Sequence, residues 1–375
     1  MTSLLDIATR IEANAAEPYL RSHGWELVQQ GELGTRWRLR ADERTRNVAV
    51  PLLGADKQDR WRMLAAVLQT LSEVEQRSPA SIARDLREAA YDLVEFRLIA
   101  DSLANGEIPL NAAPELTRGA LEAIQAAARA EITPRAHYAS GRLPSEVESF
   151  VGGAVLAGTE RGSVILRVRN PAPPQERAPT LDGLQQLESF PRRATRRLVG
   201  AVEAAKTASH RDPATLNADI LDEDVDEGLS ANLCDALYHL SGAKTGLDAR
   251  IDLRVRWSLA QPASTPSSEV TVERGEVAEL SRVAEILKAI KPLPGMTVRG
   301  PVVQIRHEPG GPESAVHINA DVEGRVRTVR IELGHADWKV AAQAHIEERE
   351  VEATGTLERA GTMRELTKPR GVKIV

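Results

Sequence analysis

The alternation of apolar and polar residues over the last eighty positions predicts a small β-barrel. Strands are expected over 297–308, 314–323, 325–333, 350–358 and 363–375, with a helix over 335–347 after the third strand. Pro309, Gly310, Gly311 and Gly324 supply the first two turns. The order strand-strand-strand-helix-strand-strand is typical of an OB-like five-stranded barrel, a fold that often binds oligonucleotides without being restricted to that function.

The preceding residues switch between helical and strand periodicity, so the predicted fold class is α+β, with two mixed α+β domains followed by the OB-like five-stranded β-barrel. The expected limits are 1–135 for the N-terminal domain, 136–294 for the middle domain and 295–375 for the barrel. A turn with Pro292, Pro294 and Gly295 marks the last boundary. The complete barrel pattern predicts that residues 296–375 fold alone.

Local patterns predict three features of the two α+β domains. An amphipathic helix is expected over 3–16, ended by Pro18 and Gly24. A meander of three strands is expected over 25–29, 35–40 and 47–52. In the middle domain, a hairpin is expected from strands over 151–157 and 163–169.

Composition limits the class of protein. Of the 375 residues, 42% are apolar but only 3% are aromatic, which argues against a surface built from stacking rings. The only cysteine, Cys234, has no disulfide partner in the chain, so a reducing, cytoplasmic location is expected. Apolar runs are too short for a membrane span, and the content of Ala and Arg is typical of a high-GC bacterial coding sequence.

Three arginines alternate with apolar residues in the second predicted strand. Arg36, Arg38 and Arg40 are expected on one face, with Trp37 and Leu39 on the other. Such a row suits contact with successive phosphates of a nucleic acid. The alternative, which is the more common arrangement of such a row, is a solvated sheet face on which the arginines pair with carboxylates close in sequence, namely Glu26, Glu32, Asp42 and Glu43.

A second cluster, Arg192, Arg193, Arg196 and Arg197, falls at the start of a predicted helix. Cations at this end oppose the helix dipole and repel one another at i, i+4 spacing, so a compensating anion is expected. The acidic residues of 219–227 are the favoured partner, with Asp222, Glu223, Asp224, Asp226 and Glu227 neutralising the cluster. The alternative is an external phosphate or nucleic acid.

Catalytic and metal signatures are weak. Cys234 and His239 do not share a helix face, and no motif predicts a metal or another cofactor. The barrel carries twelve basic and twelve acidic residues over 296–375, and its one aromatic residue, Trp338, has the spacing of a core position. We therefore expect a non-catalytic binding or adaptor subunit of a larger assembly with a protein partner. One alternative is a nucleic-acid-binding protein that uses both arginine clusters, and another is an enzyme whose site is assembled from dispersed acids such as Glu160, Asp248 and Asp252.

Overall fold

The computed structural model describes residues 3–9, 11, 13–32, 34–41, 44–52, 56–103, 107–157, 164–171, 188–261, 263, 267–307, 314–322 and 324–375. The chain divides into two compact units. Unit 1 comprises Met1–Ile108, Ser145–Val199 and Ile251–Thr271, and unit 2 comprises Pro109–Pro144, Gly200–Arg250 and Val272–Val375. Helices and sheets mix along the chain, which confirms the α+β class. The predicted limits of the three domains stay a prediction.

The helices and strands are numbered in chain order. The helices are α1 Leu4–Ala8, α2 Ala13–Ser22, α3 Lys57–Glu75, α4 Pro79–Glu88, α5 Ala113–Ile132, α6 Ser145–Gly153, α7 Phe190–Ser209, α8 Asp222–Asp226, α9 Ala231–Leu240, α10 Arg274–Ala289 and α11 His335–Ile346. The strands are β1 Glu26–Gln30, β2 Gly34–Ala41, β3 Arg44–Pro51, β4 Tyr91–Ile99, β5 Val155–Ala157, β6 Val164–Pro171, β7 Arg250–Arg256, β8 Ser267–Val272, β9 Leu293–His307, β10 Ser314–Val322, β11 Arg325–Leu333, β12 Glu350–Ala360 and β13 Met363–Ile374.

The first sheet is the predicted meander. β1, β2 and β3 pair antiparallel in that order. Its inner face contributes Trp37, Val48 and Val50 to a core that also contains Leu64 and Leu68 of α3. All five side chains are almost closed to solvent, so the hydrophobic effect fixes which face of the sheet is turned inward.

Two local predictions in unit 1 are wrong. The expected helix over 3–16 is broken into α1 and α2, and Pro18 lies inside α2 rather than ending it. Burial of Tyr19 and Leu20 in the same core outweighs the backbone cost of that proline. Residues 151–153, expected to be extended, form the last turn of α6, because Val147 and Phe150 are buried at helical spacing.

A second sheet of five strands has the order β5-β6-β4-β7-β8. β4 pairs antiparallel with β6, so Asp92 lies opposite Asn170 and Glu95 lies opposite Arg167. These four polar residues are buried, and the carboxylate of Glu95 accepts a hydrogen bond of 2.7 Å from the Nε of Arg167. The buried charges of Glu95 and Arg167 therefore compensate each other.

The C-terminal strands form a closed barrel with the order β10-β11-β13-β12-β9. β11 and β13 are parallel, whereas the other neighbouring strands are antiparallel, and α11 joins β11 to β12. Val316, Ile318, Val329, Ile331 and Leu366 lie in its core. The predicted OB-like barrel is confirmed, including the helix after its third strand.

The β12–β13 hairpin turns through Gly361 and Thr362, between the paired residues Ala360 and Met363. Gly361 has a φ of +61°, which glycine adopts at little cost and which suits the first central position of a tight hairpin turn. A Cβ added there would lie 1.7 Å from the Oδ1 of Asp226. The turn therefore packs directly against α8, which also belongs to unit 2.

Candidate polyanion-binding surface

The arginines of β2 lie on the outer face of the first sheet, as the alternation predicts. Arg36 and Arg40 are exposed and Arg38 is half-buried, whereas Trp37 between them is only 1% exposed. The alternating geometry of the strand separates the three cations from the core. We call this row of Arg36, Arg38 and Arg40 the arginine row.

The neighbours of the arginine row are mostly uncharged. Thr45, Asn47 and Ala49 of β3 lie opposite Arg40, Arg38 and Arg36, respectively. On β1, Glu26 lies opposite Arg38 and Gln29 lies opposite Arg36. Within the described parts of these two neighbouring strands, one carboxylate therefore directly faces the row.

The cross-strand ion pairs expected under the alternative interpretation are not formed by the described residues. Across the part of the chain that the structure describes, none of the three guanidinium groups pairs with a carboxylate, including that of Glu26. The Nε of Arg38 is buried and has no hydrogen-bond acceptor among the same residues. Asp42 and Glu43, which were also expected to pair with the row, lie outside the described residues.

The second arginine cluster has a different environment. Arg192 is 1% exposed, its Nε donates a hydrogen bond to Oδ2 of Asp92 at 2.9 Å, and its Nη2 lies 2.9 Å from Oδ1 in an ion pair. The backbone N–H of Ser258 donates to the same carboxylate at 2.8 Å, and the guanidinium lies 5.0 Å from the ring centre of Trp257. Burial raises the pKa of Asp92, while Arg192 and Ser258 act in the opposite direction. Arg192 is consequently a structural residue that an external anion cannot reach.

The other cluster arginines lie nearer the surface. Arg196 forms an ion pair with Glu188, and Arg193 donates to the backbone carbonyl of Glu188 at 2.5 Å while lying 5.9 Å from the ring centre of Phe190. Arg197 is half-buried. Asp92 and Glu188 thus supply negative charge at the start of α7, where the sequence predicts that an anion is needed.

The carboxylates of 219–227 have other partners. In unit 2, Asp219 accepts a hydrogen bond from Arg359 at 2.8 Å and Asp222 accepts one from Arg364 at 2.9 Å. Asp224 forms an ion pair with Arg211, with an N–O distance of 2.7 Å. The predicted pairing of Arg192 and Arg196 with this acidic segment is therefore wrong. Asp92 lies 100 residues before Arg192 and in another element, so no local pattern could have indicated it.

The outer face of the barrel presents a polar row across four strands. Gln304, His317, Arg330 and Glu365 are neighbours in register on β9, β10, β11 and β13. Arg330 forms ion pairs with Glu365, at an N–O distance of 3.2 Å, and with Glu332. The positive charge of Arg330 is therefore neutralised. Burial, with Arg330 and Arg306 nearby, lowers the pKa of His317. Trp338 packs against the barrel core, as its spacing predicts, and is no stacking platform.

The residues that the sequence offered as catalytic candidates differ from one another in burial and in partners. Cys234 is 1% exposed, and burial raises the pKa of its thiol, which suppresses the reactive thiolate. The Nδ1 of His239 lies 2.9 Å from Glu122. Asp252 accepts from Thr271 at 3.0 Å, Asp248 is exposed, and Glu160 lies outside the described residues. Among the residues that the structure describes, no group of three or more His, Cys, Asp or Glu side chains is arranged to hold a metal ion.

No helix in the described ranges combines the length and apolar character needed to cross a membrane. Comparisons of the chain with protein-family models, with curated proteins and with solved structures gave no match. The interpretation of function therefore depends on the geometry of the residues themselves.

Proposed function

We propose that the protein is a non-catalytic binding protein whose arginine row holds the phosphate backbone of a nucleic acid. The observation that carries the proposal is the set of three guanidinium groups on one sheet face without an ion pair in the described part of the chain. Between Gly34 and Pro51 the sequence has five arginines and two acidic residues, so this hairpin is locally basic although the chain has a net charge of -6. A cytoplasmic location is part of the proposal and rests on Cys234 as the single cysteine.

The spacing of the row suits a repeating anion. Alternate residues of a strand are about 6.6 Å apart, so the three cations recur at a regular interval, as the phosphates of a nucleic-acid backbone do. The described face offers no aromatic ring for stacking on bases, since Trp37 is buried on the opposite side. We therefore expect contact with the backbone only, and affinity that is independent of base sequence.

A charge-removal variant tests this proposal. Substituting Arg36, Arg38 and Arg40 with Gln should weaken binding of a fluorescently labelled duplex in anisotropy titrations. The slope of log K against log salt should fall in magnitude by about 2.7, or about 0.9 for each phosphate that is no longer neutralised. The matched control is the triple Gln variant of Arg62, Arg84 and Arg97, three exposed arginines elsewhere in unit 1.

Two results would reject the proposal. The first is that the parent protein binds no duplex at about 50 mM salt, which would mean that the arginine row does not bind nucleic acid. Equal loss of affinity in the control variant would show that only net charge matters. Circular dichroism of each variant checks that the fold is retained.

A protein-binding adaptor is the second candidate, and edge strand β1 favours it. All five β1 residues are exposed, including Leu27 at 45% and Val28 at 42%. An edge strand with exposed apolar side chains can pair with an extended segment of another protein. Substituting Leu27 and Val28 with Lys should then abolish association seen by sedimentation velocity with a partner present, while duplex binding by the arginine row persists. Loss of duplex binding alone would instead assign β1 to the nucleic-acid surface.

A further inference from the structure

Unit 2 contains a cavity of about 570 Å³ that none of the preceding arguments uses. Its walls come from the end of α5 with the segment that follows, from residues 290–292, and from the end of β12. This volume lies within the range of about 300 to 1,000 Å³ that small-molecule sites occupy. The cavity is thus large enough for a compact organic ligand.

Two of the four arginine and lysine side chains that line the cavity are neutralised by carboxylates of the protein. Arg135 pairs with Glu358 and, at 2.9 Å, with Glu365. Arg359 donates to Asp219 at 2.8 Å and lies 3.7 Å from Asp222. These two guanidinium groups form part of the wall, and their charges are balanced by protein carboxylates.

The other two cations, Arg129 and Lys291, have no carboxylate partner within the residues described. The Nη2 of Arg129 donates to the backbone carbonyl of Ala139 at 3.2 Å, and its guanidinium lies 4.6 Å from the ring centre of Tyr138. Burial lowers the pKa of Arg129, which indicates that its positive charge is poorly solvated. An uncompensated, partly desolvated cation on a cavity wall favours an anionic ligand.

The charge and the apolar wall of the cavity together limit the chemical class of ligand that it can bind. A phosphate monoester carries a charge of about -1.5 to -2 at neutral pH, which matches the two uncompensated cations. The remaining wall includes the apolar side chains of Ile132, Ile290 and Pro292, which suit the body of the ligand. We propose that this cavity binds a small phosphate monoester whose phosphate contacts Arg129 and Lys291 and whose organic group is apolar or planar.

Phenyl phosphate is a suitable probe because it contains only these two parts. Isothermal titration of the full chain should show saturable binding of phenyl phosphate, with weaker binding of inorganic phosphate and of benzyl alcohol. Lys291→Gln should weaken binding at least tenfold, as expected for loss of one charge-assisted bond. Lys339→Gln, which removes an exposed lysine of unit 2 outside the cavity, should leave the affinity unchanged.

A second variant fills the space without removing charge. Ile132 is 44% exposed, so Ile132→Trp should be tolerated by the fold, as thermal melting will verify, and should abolish phenyl phosphate binding. Absence of saturable binding to the parent overturns the proposal. Equal weakening by Lys339→Gln, or inorganic phosphate binding as tightly as phenyl phosphate, overturns it as well. Duplex binding by the arginine row is measured separately, so the two proposals can fail independently.

Discussion

Asp222 and Arg364 form an ion pair that is almost closed to solvent, with exposed side-chain fractions of 5% and 3% and an N–O distance of 2.9 Å. Arg364 lies directly opposite Arg359 across the β12–β13 hairpin, and Asp222 lies 3.7 Å from Arg359 as well. One carboxylate therefore relieves the repulsion between two facing arginines. On the other face of the same hairpin, Glu358 lies opposite Glu365, and Arg135 pairs with both.

Removing the charge of Asp222 should destabilise the protein strongly. Asp222→Asn leaves Arg364 buried without its carboxylate, which costs about 3 to 5 kcal/mol when a buried pair loses one partner. Urea unfolding of the full chain measures the difference. Asp219→Asn is the control, because its 42% exposed carboxylate pairs with Arg359 nearer the solvent and should cost less than about 1 kcal/mol. Equal effects of the two substitutions would contradict the importance of burial.

The isolated barrel should respond to Arg364 in the opposite way. The sequence predicts that residues 296–375 fold alone, but that segment lacks both Asp222 and Arg135. Arg364→Met should therefore stabilise the isolated segment, because it removes an unpaired cation. It should destabilise the full chain, because the buried carboxylate of Asp222 loses its closest cation and, among the described residues, keeps only Arg359 at 3.7 Å. Urea midpoints of both forms, with and without the substitution, provide the test. A change of the same sign in both would mean that the hairpin does not depend on the preceding segments.

The start of α7 offers a comparison within one arginine cluster. Arg192→Gln leaves the fully buried Asp92 carboxylate uncompensated and should cost about 3 to 5 kcal/mol of unfolding free energy. Arg196→Gln removes only an exposed pair with Glu188 and should cost less than about 1 kcal/mol. Chemical denaturation measures both values. A small effect of Arg192→Gln would argue against its structural role and would restore it as a candidate ligand for an external anion.

Glu122 should contribute to stability in a pH-dependent way. Burial alone would raise its pKa, but hydrogen bonds from Arg118 and His239 outweigh that effect and lower it. The group is more acidic in the folded than in the unfolded chain, so its stabilising contribution is complete above the unfolded pKa of about 4.3 and is lost as the pH falls through the folded pKa. Glu122→Gln should therefore flatten the stability profile below about pH 4.3, whereas Glu107→Gln, at an exposed position, should not. Urea midpoints across this range test the difference.

Local structure was well predicted where the apolar pattern and the turn residues agreed. The limits of β11 match the expected strand, because buried Val329, Ile331 and Leu333 alternate with polar residues. The pattern failed at Pro18, where burial of neighbouring side chains outweighed the local signal. A periodic pattern predicts which face of a helix or strand is buried. It does not predict which distant helix or strand covers that face.

The candidate sites were less predictable from the sequence than the strands and helices, because they depend on contacts between distant segments. The shared face of Arg36, Arg38 and Arg40 follows from the geometry of a strand and was predicted. The partners of Arg192 and Asp222 depend on chain segments 100 and 142 residues away, so proximity in sequence gave the wrong pairing. The cavity beside Arg129 and Lys291 left no local signal, because its walls come from three separated segments.

The neutralised hairpin has a consequence for the order in which unit 2 is assembled during synthesis. Arg135 and Asp222 precede the hairpin in the chain, so both leave the ribosome before residues 358–365 are translated. The carboxylate and the guanidinium that the hairpin needs are thus present when its facing like charges first come together. We expect the earlier segments to act as a template for closing the barrel, with β12 and β13 the last strands to find their register.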